Sequence, residues 1–429
     1  MRYGFFLGFL AVGILALKKP EKDEFYKPPR GFQDRPLGDI LKSRQTPGPI
    51  QSYLATIDAI TWQLLIRSED SFGKPNAIVA TLLEPRDADP TKVLSYQPFQ
   101  NSALITCCPS YAMLVPSFDT LHMQVELSFI AMALFMKWYV VIPDYQGPKS
   151  AFPVANQSAF AVLNVMRGVQ TFLNQSTSFA MFGYSGGAFA SAWASIKHPK
   201  YAPELNIVGA AVGGLVSNIS ALVECVDGGP YAGLVLSVLN GCSNEYPEFR
   251  LALRKYGMFL KNYCLMSAAA HYFGTSFNRD IYRNFSRDAV ITSIFKKNSL
   301  MGDGKPVPKM PIFIYHSAIN EMIPAAEIRK VFDYWCANGV IVEFAEDESY
   351  NHIVEAFAGV PASMMWLKKR FDGVKSKGKC IYTWRPSNFL YPGTRRFIKS
   401  KLKRSLEIFL SKLNVFESFT TFTDTIVTE

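Results

Sequence analysis

Phe179-Ala180-Met181-Phe182-Gly183-Tyr184-Ser185-Gly186-Gly187 is an apolar strand-like run that ends in Gly-x-Ser-x-Gly, and Ala188 to Lys197 after it has the composition of a helix. A strand that passes into a helix across so short a bend must hold the central residue in a strained backbone conformation. The glycines on either side follow from the same geometry, because a Cβ at those positions would collide with the bend. Such a turn lifts the serine hydroxyl above the sheet edge and points the Gly186 N–H at the place where an oxyanion would form. Ser185 is therefore expected to be a nucleophile, with Gly186 as an oxyanion donor.

On both sides of this stretch, short apolar strands alternate with helices. Ile57 to Ile66 and Ala77 to Leu83 read as two strands across a turn containing Gly73, Lys74 and Pro75, and Lys92 to Phe99 as a third. Then come a helix from His122 to Lys137, a strand from Trp138 to Ile142, and a helix from Phe160 to Leu173. Further strands are expected at Leu205 to Ala211, Pro311 to Tyr315 and Val340 to Phe344, with a helix from Ile353 to Phe371 behind the last. This is the pattern of an α/β fold with a mainly parallel sheet and helices on both faces. Between Ser217 and Pro308 the alternation lapses into helical, glycine- and aromatic-rich sequence, a candidate cap over a site at the carboxyl end of the sheet. The expected division is a leader at 1–16, a core at 17–216 and 309–379, a helical cap at 217–308, and a C-terminal segment at 380–429.

A serine hydroxyl is a weak nucleophile until a base accepts its proton. Of the five histidines, His122 and His198 fall on helices, His271 in the cap and His316 at the end of a strand. His352 follows the last predicted strand and opens a helix, where the order nucleophile, acid, base requires the base. The acid should follow Pro311 to Tyr315, but the sequence there is His316-Ser317-Ala318-Ile319-Asn320-Glu321-Met322-Ile323-Pro324. Asn320 occupies the acid position, and Glu321 or Asp347 could serve in its place.

The 429 residues, 49% hydrophobic and 19% charged, suffice for a full core and exclude disorder and coiled coil. The net charge of +10 would suit a nucleic-acid binder if it were spread over one face. Most of it instead lies in the tail, in Arg395, Arg396, Lys399, Lys401, Lys403, Arg404 and Lys412 against Glu407, so no nucleic-acid partner is expected. Basic Arg2, the apolar run Phe5 to Leu17 and small Ala16 match a cleaved secretory signal and are too short to span a bilayer. Four Asn-x-Ser sequons, at Asn156, Asn174, Asn218 and Asn284, agree with that route. The seven cysteines show no C-x-x-C pair or metal-type histidine spacing, so no zinc site is expected, and acyl chemistry run by a serine and a histidine requires neither a metal nor an organic cofactor.

The chain resembles the fungal secreted triacylglycerol lipases of the Candida lipase A type and the secreted lipases of pathogenic yeasts. The likeness runs from about Gln51 to Lys379. It rests on Ser95-Tyr96-Gln97, Cys107-Cys108-Pro109-Ser110-Tyr111, Pro143-Asp144-Tyr145-Gln146-Gly147-Pro148-Lys149, Gly183-Tyr184-Ser185-Gly186-Gly187-Ala188, Tyr201 to Ala210, Gly228-Gly229-Pro230 and Gly359 to Gly373. The resemblance implies an α/β-hydrolase with a helical cap and a C-terminal flap, acting on lipid esters through Ser185 and His352. It implies disulfides Cys107–Cys264 and Cys336–Cys380. It also places Asn101 at an oxyanion position and Asn320 at the acid position, both normally Asp. An amide at Asn101 can donate to an oxyanion without first being protonated. At Asn320 the same change is costly: in a serine protease it stabilises the wrong histidine tautomer and lowers turnover about 10⁴-fold.

The function expected is that of a secreted, monomeric lipase hydrolysing acylglycerol esters. The alternative is a catalytically impaired relative that binds lipid or a partner. Tyr231, Leu234, Leu236, Phe259, Tyr272, Phe273 and Phe277 are candidate linings for an acyl site. In the tail, Phe397, Ile398, Leu402, Leu406, Phe409, Leu410 and Leu413 form one apolar helix face between cationic residues. That face would either lie on a membrane or lipid surface or dock on the protein.

Overall fold

The computed structural model describes residues 17–50, 57–257, 261–302, 304–348, 351–376 and 378–401. The expected leader at 1–16, Phe259 and the tail beyond Lys401 lie outside these residues. The strands are β1 (Ile40–Gln45), β2 (Ala59–Glu69), β3 (Pro75–Pro85), β4 (Asp89–Gln97), β5 (Trp138–Pro143), β6 (Ser178–Tyr184), β7 (Asn206–Gly213), β8 (Ile312–Ser317), β9 (Val342–Asp347) and β10 (Cys380–Arg385). They form one sheet in the order β1-β2-β3-β5-β4-β6-β7-β8-β9-β10. The β1–β2, β2–β3 and β3–β5 pairs are antiparallel and the remaining pairs parallel.

The helices are α1 (Pro109–Ala112), α2 (Leu121–Phe135), α3 (Ala155–Leu173), α4 (Gly186–Tyr201), α5 (Ile219–Val226), α6 (Gly233–Glu245), α7 (Pro247–Arg254), α8 (Leu265–His271), α9 (Ala289–Asn298), α10 (Ala325–Ala337), α11 (His352–Phe371) and α12 (Thr394–Lys401). Each central strand is buried on both faces, which is why β5 and β6 read as unbroken apolar runs. Their side chains divide by the two-residue period. Phe179 and Met181 of β6 join the core containing α3 and α4, while Ala180, Phe182 and Tyr184 join the core containing α2 and α11. Ile312 and Ile314 of β8 face the first core, Phe313 and Tyr315 the second. Each of the phenylalanine, methionine and isoleucine side chains among them contributes about 1.5–3 kcal/mol by leaving water.

Helices α5 to α9 lie between β7 and β8, on the carboxyl side of β7. Main-chain Leu300 N–H donates to Ser217 O at 2.8 Å, and Ile219 N–H to Ser299 Oγ at 3.2 Å, so the two ends of the excursion are tied together. The disulfide Cys107–Cys264 joins this insertion to the segment after β4, and Cys336–Cys380 joins α10 to β10. Both pairings are those the resemblance implies. The loops they close span 157 and 44 positions, each worth about 4–5 kcal/mol of unfolded-chain entropy at most. Cys108, Cys225 and Cys242 are free.

Two strands differ from the sequence reading. The short β1 and β10 sit at the two edges of the sheet, with half-exposed, polar-rich sequences that carry no buried-strand signal. Beyond β10 the chain makes a turn at Asn388–Leu390 and enters α12, where Phe397 and Ile398 are buried in the core containing α11. The described start of the basic tail is thus docked on the protein.

Candidate active site

Ser185 stands between β6 and α4 with φ 53° and ψ −118°, a conformation that costs a residue with a Cβ about 1–3 kcal/mol. Its main-chain N–H donates to Gly213 O of β7 at 2.8 Å, which pins the bend to the neighbouring strand. The flanking glycines are there for clearance. A Cβ on Gly183 would lie 2.2 Å from Gly187 O, and one on Gly187 1.8 Å from Gln97 O.

His352 is the first residue of α11, with Asn351 capping the helix through its side chain. Its Nε2 lies 3.0 Å from Ser185 Oγ, across 167 positions of sequence. The ring is fully buried and packs against Tyr184, whose hydroxyl donates to His352 O at 2.5 Å. Gly214, at φ +50°, leaves space for it, since a Cβ there would meet His352 Cε1 at 2.8 Å. Burial, together with repulsion from His316, pushes the imidazole down to about 3. The ring is therefore neutral at ordinary pH.

The other ring nitrogen, Nδ1, faces Asn320 Nδ2 at 2.9 Å. The orientation of that amide is set by the backbone: Asn320 Oδ1 accepts from Met322 N–H at 3.0 Å and Ile323 N–H at 2.9 Å. Turning the amide over would aim its NH₂ at two N–H donors. Asn320 must then donate to Nδ1, which leaves the imidazole proton on Nε2, facing the serine oxygen. An aspartate in this place would keep both backbone bonds on one oxygen and accept from Nδ1–H with the other.

Neither alternative acid reaches the ring edge that Asn320 holds. Glu321 Oε2 accepts from the His352 main-chain N–H at 2.8 Å and so caps the helix rather than the imidazole. Asp347 is buried and accepts from Asn388 N–H at 2.8 Å. His316 is fully buried and bonds Ile323 O through Nε2 at 3.0 Å, supporting the turn that carries Asn320. His198 bonds Leu205 O, and His271 packs against Tyr263 in the insertion.

Asn101 has φ 47° and is buried. A Cβ on Gly186 would lie 1.9 Å from its Oδ1, so the amide sits directly against the bend, and that oxygen has no protein partner among the described residues. The loop bearing Asn101 is held by two groups that the sequence reading did not single out. Glu126 accepts from Phe99 N–H at 2.8 Å and from the Tyr96 hydroxyl, and Tyr145 Oη donates to Pro98 O at 2.8 Å. Burial pushes Glu126 up to about 8. Its signal was present in the sequence as a lone carboxylate inside the apolar run of α2.

The structure thus gathers Ser185, His352, Asn320, Gly186 and Asn101, which follow the carboxyl ends of β4, β6, β8 and β9. Of the candidate linings, Leu234, Leu236, Tyr272 and Phe277 are buried in the insertion, and Phe273 is 70% exposed. Tyr231 is half-buried and close enough to Glu321 to feel its charge.

The family model of secretory lipases matches residues 113–378. The chain is 43% identical to Lipase 7 of Candida albicans over 94% of its length and 95% of that protein. It is 41% identical to Lipase 4 of the same organism, covering 95% of each chain. The crystal structure of Candida antarctica lipase A superposes with a TM-score of 0.83 at 27% identity, over 91% of this chain and 95% of that one.

Proposed function

The chain belongs to the secretory lipase family and is a lipase; we propose that it hydrolyses acylglycerol esters with Ser185 as nucleophile and His352 as base, at a rate limited by Asn320. The observation that carries this reading is the 3.0 Å approach of His352 Nε2 to Ser185 Oγ on a strained bend. Ser185 Oγ attacks the ester carbonyl and His352 takes its proton. The negative oxygen is received by Gly186 N–H and by the Asn101 amide, turned over so that its NH₂ and not its Oδ1 faces the oxyanion, and the alcohol leaves with the proton. Water then releases the fatty acid by the reverse sequence.

Asn320 makes the first step slow. Before His352 can accept a proton at Nε2, its own proton must move to Nδ1, where it would face the Asn320 NH₂ instead of an acceptor. Losing that bond and opposing two donors raises the energy of the reactive tautomer. The same observation favours a second reading, a lipase-like protein that binds lipid without turning it over.

Purified wild type, Ser185→Ala and Asn320→Asp, assayed on a soluble chromogenic ester and on emulsified triglyceride, separate the two. Wild type is expected above the Ser185→Ala background, and Asn320→Asp faster than wild type by about 10²–10⁴. Rates equal to background in both wild type and Asn320→Asp would leave only the binding protein.

Membership of a secretory family agrees with export through a leader at residues 1–16, which we include in the proposal. The basic sequence that continues α12 supplies the charge with which the monomeric enzyme would meet an anionic lipid surface.

A further inference from the structure

Asn101 sits at φ 47° in the loop after β4, so its amide is placed only if the chain is held on both sides of it. On the near side the core holds it, through Glu126 to Phe99 N–H and Tyr145 to Pro98 O. On the far side the partners come from the helical insertion. Ser102 is fully buried; its Oγ accepts from Leu104 N–H at 3.2 Å and lies 2.9 Å from Tyr263 O and 3.2 Å from Cys107 Sγ. A hydroxyl has one proton, and a carbonyl oxygen accepts it better than sulfur does, so Ser102 donates to Tyr263 O. That acceptor is itself fixed. The Tyr263 ring packs against His271 and Tyr272, and the next residue, Cys264, is disulfide-bonded to Cys107. Asn244 of α6 adds a longer contact, to Ala103 O at 3.5 Å.

We propose that Ser102 is a positioning residue for the oxyanion site: its hydroxyl transmits the placement of Tyr263 and Cys264 in the insertion to the backbone of Asn101, the residue before it. The inference rests on the reading that Asn101 receives the oxyanion. Within the loop, the Leu104 N–H to Ser102 Oγ bond fixes the turn that leaves Asn101, and the Ser102 to Tyr263 bond docks that turn on the insertion. Removing the hydroxyl takes a partner from both Leu104 N–H and Tyr263 O. The disulfide, five positions further on at Cys107, still holds the insertion to the core, so the expected result is a loosened loop in a folded protein. A misplaced oxyanion donor loses its interaction where charge develops, in the transition state, and leaves ground-state binding largely intact. Ser102 therefore bears on kcat more than on KM.

The test compares wild type, Ser102→Ala, Asn101→Ala and the double variant on the soluble chromogenic ester, and adds hydrogen exchange without substrate. Ser102→Ala should lower kcat about 10–10²-fold with KM within about twofold. In the Asn101→Ala background the same change should cost less than about threefold, because the group that Ser102 places is gone. Ser299→Ala is the control for loosening alone: it removes a buried hydroxyl that accepts from Ile219 N–H at the ends of the insertion. It should lower the urea midpoint and leave kcat unchanged. Amides at residues 99–104 should exchange faster in Ser102→Ala than in wild type. Coinciding exchange curves would overturn the tie whether or not the protein hydrolyses esters. Equal losses from Ser102→Ala with and without Asn101, or as large a loss in kcat from Ser299→Ala, would overturn the positioning role. A wild-type rate no higher than that of Ser185→Ala would remove the oxyanion role together with the hydrolase reading, and faster exchange would then support the tie alone.

Discussion

At Asn320 one atom separates an acid from an amide, and the backbone determines what that atom does. Because Met322 and Ile323 fix the amide oxygen, the nitrogen alone faces His352, and the imidazole is left in the unreactive tautomer with an amide in place of a carboxylate at Nδ1. Burial holds its pKa down to about 3 against an ordinary value near 6.5. Between those values the unfolded chain binds the proton and the folded one does not, so this residue's contribution to stability is present above about pH 6.5 and lost as pH falls toward 3. A carboxylate on Nδ1 reverses the balance. In Asn320→Asp the acid limb of the kcat/KM profile should move upward by about one pH unit or more, together with the gain in rate. An unmoved limb would mean that position 320 does not act on the ring's charge. The identity of residue 320 was legible in the sequence, whereas the direction in which its amide points was not.

The element that positions the loop of the proposed oxyanion residue Asn101 is α2, through a carboxylate that an apolar helix would not otherwise contain. Glu126 accepts from the Phe99 backbone and from Tyr96, so it braces the loop leading to Asn101. Glu126→Ala leaves two buried donors unpaired and should cost about 2 kcal/mol or more, measured from the urea midpoint. It should also reduce kcat more than KM, because it displaces a transition-state donor rather than a substrate contact. The central strands and their helices were readable in advance, since residues buried on both faces leave continuous apolar runs of strand length. The edge strands β1 and β10 were not, because half-exposed residues satisfy water as well as the sheet.

For the whole molecule, the surface decides what chemistry the sequence can use. Asn174 and Asn284 are exposed at left-handed turns. The amide of Asn156 donates instead to Ser71 O at 3.4 Å, and that of Asn218 to Glu327 Oε2 at 3.0 Å, both half-buried. Protein secreted from a yeast host should carry N-glycans at Asn174 and Asn284 and not at the other two, as peptide mass spectrometry after enzymatic deglycosylation would read out. Full occupancy at Asn156 or Asn218 would show that folding does not select among them. The sequence by itself determined the layered α/β order, the strained serine bend and the inventory of reactive groups, because strand periodicity, glycine clearance and residue chemistry are local properties. Only the tertiary structure decided that His352 meets Ser185, that Asn320 turns its nitrogen inward, and that Asn388 bonds both Asp347 and Glu355 behind them. Those are contacts between remote segments, and their geometry is set by how the sheet stacks its strand ends.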